Sequence, residues 1–243
     1  ACLRRIYGDT YVHPELYDAD EIRRQNESLE LVSAVAVNRQ GQVIGHYALE
    51  RCGLRPIAET GVAVVLPEYR HHALMERMRT LLEREAVALS LVGLYGHAVT
   101  NHTFSQKVDE RFHEEPCAIS LGWSPQSFHN LSDPAPQRMT ELLYFKYLQR
   151  PERTIVYLPA HHAEFLEQIY SVLQLATITE RSTPPPGSGA IKVVARRDLG
   201  RALIQVEQVG DHSNETIASI SQQMLVRGAE AIFLELPLAQ PGT

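Results

Sequence analysis

The stretch Val62-Ala63-Val64-Val65-Leu66-Pro67-Glu68-Tyr69-Arg70-His71-His72-Ala73-Leu74-Met75 decides how the rest of the chain is read. An apolar, β-branched run ends at Pro-Glu-Tyr-Arg. A short turn follows, and a helical pattern begins. A strand that feeds a helix N-terminus through a tight loop makes an anion site. Several backbone N–H groups there lack intrahelical partners, and the helix dipole favours negative charge.

Outward from this junction the pattern is mixed. Residues 16–30 are polar, with Leu16, Ile22 and Leu29 as apolar points, and predict one or two short helices. Leu31 to Val37 and Val43 to Leu49 predict a hairpin around the Gly41 turn. Residues 57–66 predict a strand buried on both faces. The clearest helix runs from His72 to Leu89. It has Leu74, Met78, Leu81, Leu82 and Leu89 on its apolar face, and Glu76, Arg77, Arg79, Glu83 and Arg84 turned away. Leu91 to Val99 predicts a further strand, and Thr100 or Asn101 is the expected N-cap of a helix reaching Phe112. Ala118 to Leu121 and Leu142 to Leu148 predict two more strands. The order β-β-β-α-β-α-β-β describes a mixed α/β domain over residues 1–150.

Gln149-Arg150-Pro151-Glu152 marks a boundary, and residues 151–243 form a second, smaller α/β domain. Thr154 to Leu158 predicts a strand. Ala160 to Leu173 predicts a helix with Phe165, Leu166, Ile169, Tyr170 and Leu173 on its apolar face. Thr183 to Gly189 is a Pro- and Gly-rich connection. Residues 191–197 and 202–209 predict a hairpin around Asp198-Leu199-Gly200. A helix from Ser213 to Arg227 is capped by Gly228, and Ala231 to Leu236 is a last strand.

The loop and the element order resemble the GNAT superfamily of N-acetyltransferases, over about residues 5–149. The family's acyl-CoA diphosphate loop reads Arg/Gln-x-x-Gly-x-Gly/Ala. Here it is Arg70-His71-His72-Ala73-Leu74-Met75, without either glycine. The resemblance implies an acyl-CoA N-acyltransferase fold, acetyl-CoA as cosubstrate and a primary amine as acceptor. It implies that Arg70, His71, His72, Ala73, Leu74 and Met75 hold the diphosphate, with the Met75 side chain turned away. It also implies that backbone N–H groups of Ala63, Val64 and Val65 polarise the thioester carbonyl. Asn101 matches the asparagine that meets the pantetheine arm. The following helix has no Tyr to protonate the leaving thiolate, and Ser105 is the substitute it offers.

The acceptor amine must lose a proton, and two residues are candidates. Glu59 opens the strand before the loop, and His97 lies near the end of the next strand. A carboxylate beside apolar strands or an imidazole titrating near neutrality can do this work. The acceptor is expected near the early helical region and the loop from Trp123 to Leu131. By its element order alone the second domain resembles a degenerate or truncated GNAT-like half, expected without a cofactor; a generic α+β appendage is the alternative. A catalytically degenerate, acyl-CoA-sensing or protein-interaction module of bacterial signalling is the alternative, on a loose resemblance to such domains.

Composition bounds the partners. A net charge of −6 over 243 residues gives no footing for nucleic acid. No apolar run approaches the ~20 residues of a membrane span, and the first residues carry no leader pattern. Cys2, Cys52 and Cys117 are sparse and unpaired in spacing, which suits reduced thiols and a cytoplasmic setting. His71-His72 and His161-His162 lack the companions of a metal site, so no metal is expected. The chain opens without Met, as a fragment would. Its oligomeric state is open, with a homodimer compatible.

Overall fold

The computed structural model describes residues 2–51, 55–125, 137–181 and 184–241. The chain divides into two compact units, Ala1–Arg150 and Pro151–Thr243.

The first unit starts with helix α1 (Cys2–Tyr7), a 3-10 turn at Pro14–Tyr17 and helix α2 (Ala19–Glu27). The Asp18 carboxylate accepts from the Asp20 and Glu21 amides and so starts α2. Six strands follow: β1 (Leu31–Val37), β2 (Val43–Glu50), β3 (Ile57–Val65), β4 (Gly93–Val99), β5 (Glu115–Ser124) and β6 (Met139–Tyr147). Helix α3 (Leu74–Ala88) links β3 to β4, and α4 (Phe104–Arg111) links β4 to β5. The expected order β-β-β-α-β-α-β-β is present in this mixed α/β fold. The sheet runs β1-β2-β3-β4-β6-β5, antiparallel except for β3–β4.

That parallel pair is short. Its ladder comprises Ile57–Gly93, Ala58–Leu94 and Glu59–Tyr95, although β3 continues to Val65 and β4 to Val99. The cause lies in β3. Between the pairs Ala48–Gly61 and His46–Val64, β3 spends one residue more than β2. Val62 sits in this bulge at φ 52°, buried, a conformation that a β-branched residue adopts only under constraint. His46 supplies part of that constraint. Its Nδ1 meets the Val62 carbonyl at 3.0 Å and its Nε2 meets the Ser33 hydroxyl at 3.1 Å. A carbonyl only accepts, so Nδ1 carries the proton. Burial holds the His46 pKa below its ordinary value and keeps the ring neutral. At the fork, the Thr60 hydroxyl donates to the Tyr95 carbonyl at 3.1 Å.

Helix α3 corrects the predicted face. Met78, Arg79, Leu82 and Ala86 are its buried residues, whereas Leu81 is 46% exposed. Arg79, expected on the solvent side, is fully buried. It is ion-paired to the buried Glu114, its Nη1 donates to the Tyr47 hydroxyl at 3.1 Å, and its guanidinium lies over the Tyr47 and Phe112 rings. Glu83 is ion-paired to Lys146 at 2.8 Å, and Lys146 also donates to the Phe112 carbonyl. A helix periodicity cannot show that a carboxylate from after α4 waits under a given position.

Other boundaries move for local reasons. Helix α4 begins at Phe104 with Thr103 as its cap, without a side-chain capping bond, so neither Thr100 nor Asn101 caps it. Ser90 and His113 take left-handed φ values of 56° and 58° to close α3 and α4, a role usually given to glycine and therefore invisible in the pattern. β5 is far longer than the expected Ala118 to Leu121. Helix α1 was not foreseen.

In the second unit, β7 (Thr154–Tyr157) and β8 (Thr177–Glu180) pair in parallel around α5 (Ala163–Val172). β9 (Ala190–Arg196) and β10 (Arg201–Gln208) form a hairpin. Helix α6 (Ser213–Val226) then crosses to β11 (Ala231–Glu235), which lies parallel to β10. Phe165, expected on the apolar face of α5, is 63% exposed, and β8 was not foreseen. Thr183 lies outside the described residues. No helix among the described residues is long and apolar enough to cross a membrane.

The buried pair is directly testable. Arg79→Leu is expected to cost about 3–5 kcal/mol in urea unfolding, because it strands the Glu114 carboxylate in the core. Arg79→Leu with Glu114→Leu should recover most of that loss. A double variant no more stable than the single one would contradict this account.

Candidate active site at the parting of two strands

Side chains alternate along β3 and β4, so the parting strands present two chemistries. Thr60 and Gly96 lie towards the helices. A Cβ on Gly96 would meet the Thr60 hydroxyl at 3.0 Å, with the Glu114 and Asp109 carboxyls at 3.5 and 3.7 Å. This side is packed and polar. Burial, only partly offset by Arg79, raises the Asp109 pKa to about 7.

The opposite side carries Glu59 and His97. Their strands put Glu59 beside Tyr95 in the ladder, with His97 two residues further on. His97 Nδ1 and Glu59 Oε1 are 2.9 Å apart. An ionised carboxylate only accepts, so Nδ1 donates. The His97 ring stacks on Trp123 with centroids 5.1 Å apart and planes 9° from parallel, and it meets the Tyr95 ring edge-on at 5.9 Å. The two candidate bases read from the sequence are therefore one hydrogen-bonded pair.

Glu50 joins them. It lies opposite Glu59 in the β2–β3 ladder. A Cβ on Gly61 would strike the Glu50 carboxylate, so glycine at 61 lets that side chain lie across β3. Burial, with Glu59 next in effect, raises the Glu50 pKa to about 7. Like charges directly opposite on a sheet repel, and imidazoles temper this. His13 lies 4.0 Å from Glu50 and 3.1 Å from Glu15. Ser124 donates to Glu141 at 2.5 Å nearby in the sheet. Sequence reading missed Glu50 and His13, and it assigned Trp123 to the acceptor loop, whereas Trp123 lies in β5 and stacks on His97. The hairpin register was the available signal for Glu50.

The loop between β3 and α3 is a 3-10 turn at Pro67–Tyr69 followed by residues 70–73. Arg70 donates through Nε to the Val65 carbonyl at 3.3 Å, and Tyr69 is tied to Asn38 at 3.2 Å. His71, His72 and Ala73 are exposed, and His71 and Ala73 take φ values of 66° and 53°. Leu74 and Met75 are partly buried and pack against the core. Val64 and Val65 are buried and Ala63 is exposed. Beyond Glu59, the edge of β3 that faces β4 carries no ladder to it. Asn101 stands before α4 and Ser105 in its first turn. The Ser105 hydroxyl is buried without a hydrogen-bond partner among the described residues. Of the expected acceptor loop, Trp123 to Pro125 are described, and the rest up to Leu131 lies outside the described residues.

No known family's sequence profile matches the chain, and comparison with curated proteins found no match. Solved structures with a similar fold include an acetyltransferase of the GNAT family from Staphylococcus aureus. It is 15% identical, with a TM-score of 0.42, over 56% of this chain and 78% of that one. A ribosomal-protein-alanine N-acetyltransferase from Brucella melitensis is 18% identical, with a TM-score of 0.44, over 55% and 78% of the two chains. An aminoglycoside 6'-N-acetyltransferase complexed with coenzyme A is 16% identical, with a TM-score of 0.42, over 62% and 89%.

Two stability measurements test this geometry. Ala73→Gly should raise unfolding stability by about 0.5–1 kcal/mol, because a left-handed φ costs a residue with a Cβ more than it costs glycine. An unchanged or lower urea midpoint would contradict the left-handed assignment. Asp109 and Glu50 have folded pKa values of about 7, above their ordinary values. Their protonation stabilises the fold at low pH, and that contribution is lost as pH rises through 7. Wild type should lose about 1–2 kcal/mol per group between pH 5.5 and 8.0, and Asp109→Asn should lose correspondingly less. Equal losses in the two proteins would show that Asp109 is not the titrating group.

Proposed function

We propose that the first unit is an N-acetyltransferase that moves an acetyl group from acetyl-CoA to a primary amine. The observation that carries this reading is the parting of β3 and β4 after Glu59–Tyr95, with the Glu59–His97 pair on one side of the fork. A slot between two strands can receive an extended thioester arm, because backbone N–H groups along its edge lack a neighbouring strand. The diphosphate would rest on the loop from Arg70 to Met75 at the N-terminus of α3. His71 and His72 offer imidazole donors where glycine would offer only backbone.

The chemistry then needs few groups. The acceptor arrives as an ammonium and gives a proton to the Glu59–His97 pair. The free amine attacks the thioester carbonyl, whose developing oxyanion is held by backbone N–H groups near Ala63 to Val65. As the intermediate collapses, the carbon–sulfur bond breaks, the nitrogen gives up its second proton to leave a neutral amide, and that proton is passed on to the departing thiolate. Ser105 is the hydroxyl that the sequence offers for that last step, and Asn101 would contact the arm. The cytoplasmic setting, and the second unit as a degenerate GNAT-like half, belong to the same proposal. The hairpin, crossover helix and parallel strand of β9, β10, α6 and β11 repeat the connectivity of β2, β3, α3 and β4.

A second reading, an acyl-CoA sensor without turnover, is favoured by one observation. Two residues with side chains, His71 and Ala73, occupy left-handed positions in the diphosphate loop.

Calorimetric titration with acetyl-CoA separates these readings from a protein that binds no acyl-CoA. Micromolar binding that is lost in Arg70→Glu is expected, and no binding to the wild type would sink both. In a panel of amines, Glu59→Gln should lower kcat about 100-fold with little change in the KM for acetyl-CoA. Binding without transfer to any amine would select the sensor.

A further inference from the structure

We infer that Trp123 is a positioning residue that clamps the His97 imidazole in the plane that turns Nδ1 onto Glu59. The inference rests on the reading of Glu59 and His97 as the proton-accepting pair.

Trp123 has a strand to cross. It belongs to β5, whereas His97 belongs to β4, and β6 lies between them in the sheet. A regular β5 would keep pairing with β6. Instead β5 leaves its register between Ser120–Glu141 and Ser124–Met139, spending two residues more than β6. Gly122 turns this excursion at φ 63°. The excursion is fastened at both ends of the turn. The Gly122 amide donates to the Thr140 hydroxyl at 3.2 Å. Arg138 donates to the Gly122 carbonyl at 2.7 Å and to the Trp123 carbonyl at 3.3 Å.

Bulges re-aim side chains, and this one brings an indole face over an imidazole on the strand beyond its neighbour. The result is a ring held on three sides: Glu59 at Nδ1, Trp123 on the face and Tyr95 at the edge. A stack that was only core filling would not need a left-handed glycine and an arginine bracket to form. Holding the ring plane matters because a general base contributes only when its lone pair is aimed.

The charged and titratable groups facing this ring come from several elements. Glu59 on β3 bonds to it directly and Glu50 on β2 acts on it electrostatically; Tyr11 and His13, from the segment before the first 3-10 turn, act in turn on those two carboxylates, and Glu141 on β6 acts on Tyr11.

Trp123 is the chain's single tryptophan, so selectively excited indole emission comes from this one site. A protonated imidazole against an indole quenches emission. In the wild type, emission should rise with pH, and the imidazole's part of that rise should vanish in His97→Gln. Glu59→Gln should move the midpoint to lower pH, since the carboxylate favours the imidazolium. Imidazole 15N spectra give the second readout. His97 should remain in the single Nδ1–H tautomer in the wild type and in Trp123→Phe, and populate both tautomers in Trp123→Ala and Trp123→Leu. A His97→Gln protein that titrates like the wild type would overturn the proposal, as would a single tautomer kept in Trp123→Ala or Trp123→Leu. The fluorescence arm needs no tryptophan variant, so it still tests the contact the clamp depends on if those variants unfold. Neither arm requires turnover. Failure to bind acetyl-CoA or to acetylate amines would therefore count against the proposed function and leave this result standing.

Discussion

The extra residue in β3 governs the first unit. By placing Val62 at φ 52° between two regular ladders, the strand bends away from β4 after only three parallel pairs. A left-handed, β-branched residue costs on the order of 1–2 kcal/mol, so its surroundings must hold it. Burial of its side chain and the His46 bond to its carbonyl do so from within the sheet. Were β3 straight, its edge would be occupied by β4 as far as Val65, with no unpaired strand edge beside the Glu59–His97 pair. The slot, the exposed loop at its end and the pair at the fork all follow from that one irregularity.

The two sides of the fork hold charge in different ways. On the helix side, Arg79, Glu114 and Asp109 are buried among Tyr47, Thr60 and Phe112, and ion pairing together with burial sets their state. That arrangement locks α3 to the chain segment after α4, and its strength comes from mutual dependence: neither Arg79 nor Glu114 is tolerable alone in the core. On the other side, the carboxylates of Glu50 and Glu59 each have an imidazole within reach and keep part of their surface towards solvent. The same sheet thus separates fully buried, ion-paired charge from partly solvated, imidazole-paired charge by side-chain alternation.

Irregular strands recur wherever a side chain must reach past the regular ladder. In β3 a bulge opens the sheet, and in β5 a wider excursion sends Trp123 across β6. Both use a residue in the left-handed region, Val62 in one and Gly122 in the other. Helix ends show the same economy: Ser90, His113 and Gln174 close helices in positions where glycine is the ordinary choice. These substitutions explain why several boundaries could not be seen in the residue pattern.

Much of the fold was legible because local physics dominates it. The apolar runs at residues 31–37, 43–49 and 57–65 could only bury as strands, and the turn at Gly41 made the first two a hairpin. Pro67 stops a strand, and the pattern after Ala73 restarts as a helix. Glu59 and His97 were visible as groups able to take a proton. What the sequence by itself determined was therefore the set of elements, their order and the chemical types available near the loop, since these depend on neighbours along the chain. Tertiary structure alone decided that Glu59 and His97 form one pair, that Glu50 lies beside them over Gly61, and that Arg79 is buried rather than solvated. It alone brought Trp123 onto His97. Each of these depends on cross-strand register or on a partner dozens of residues away, and no periodicity along one segment carries that information.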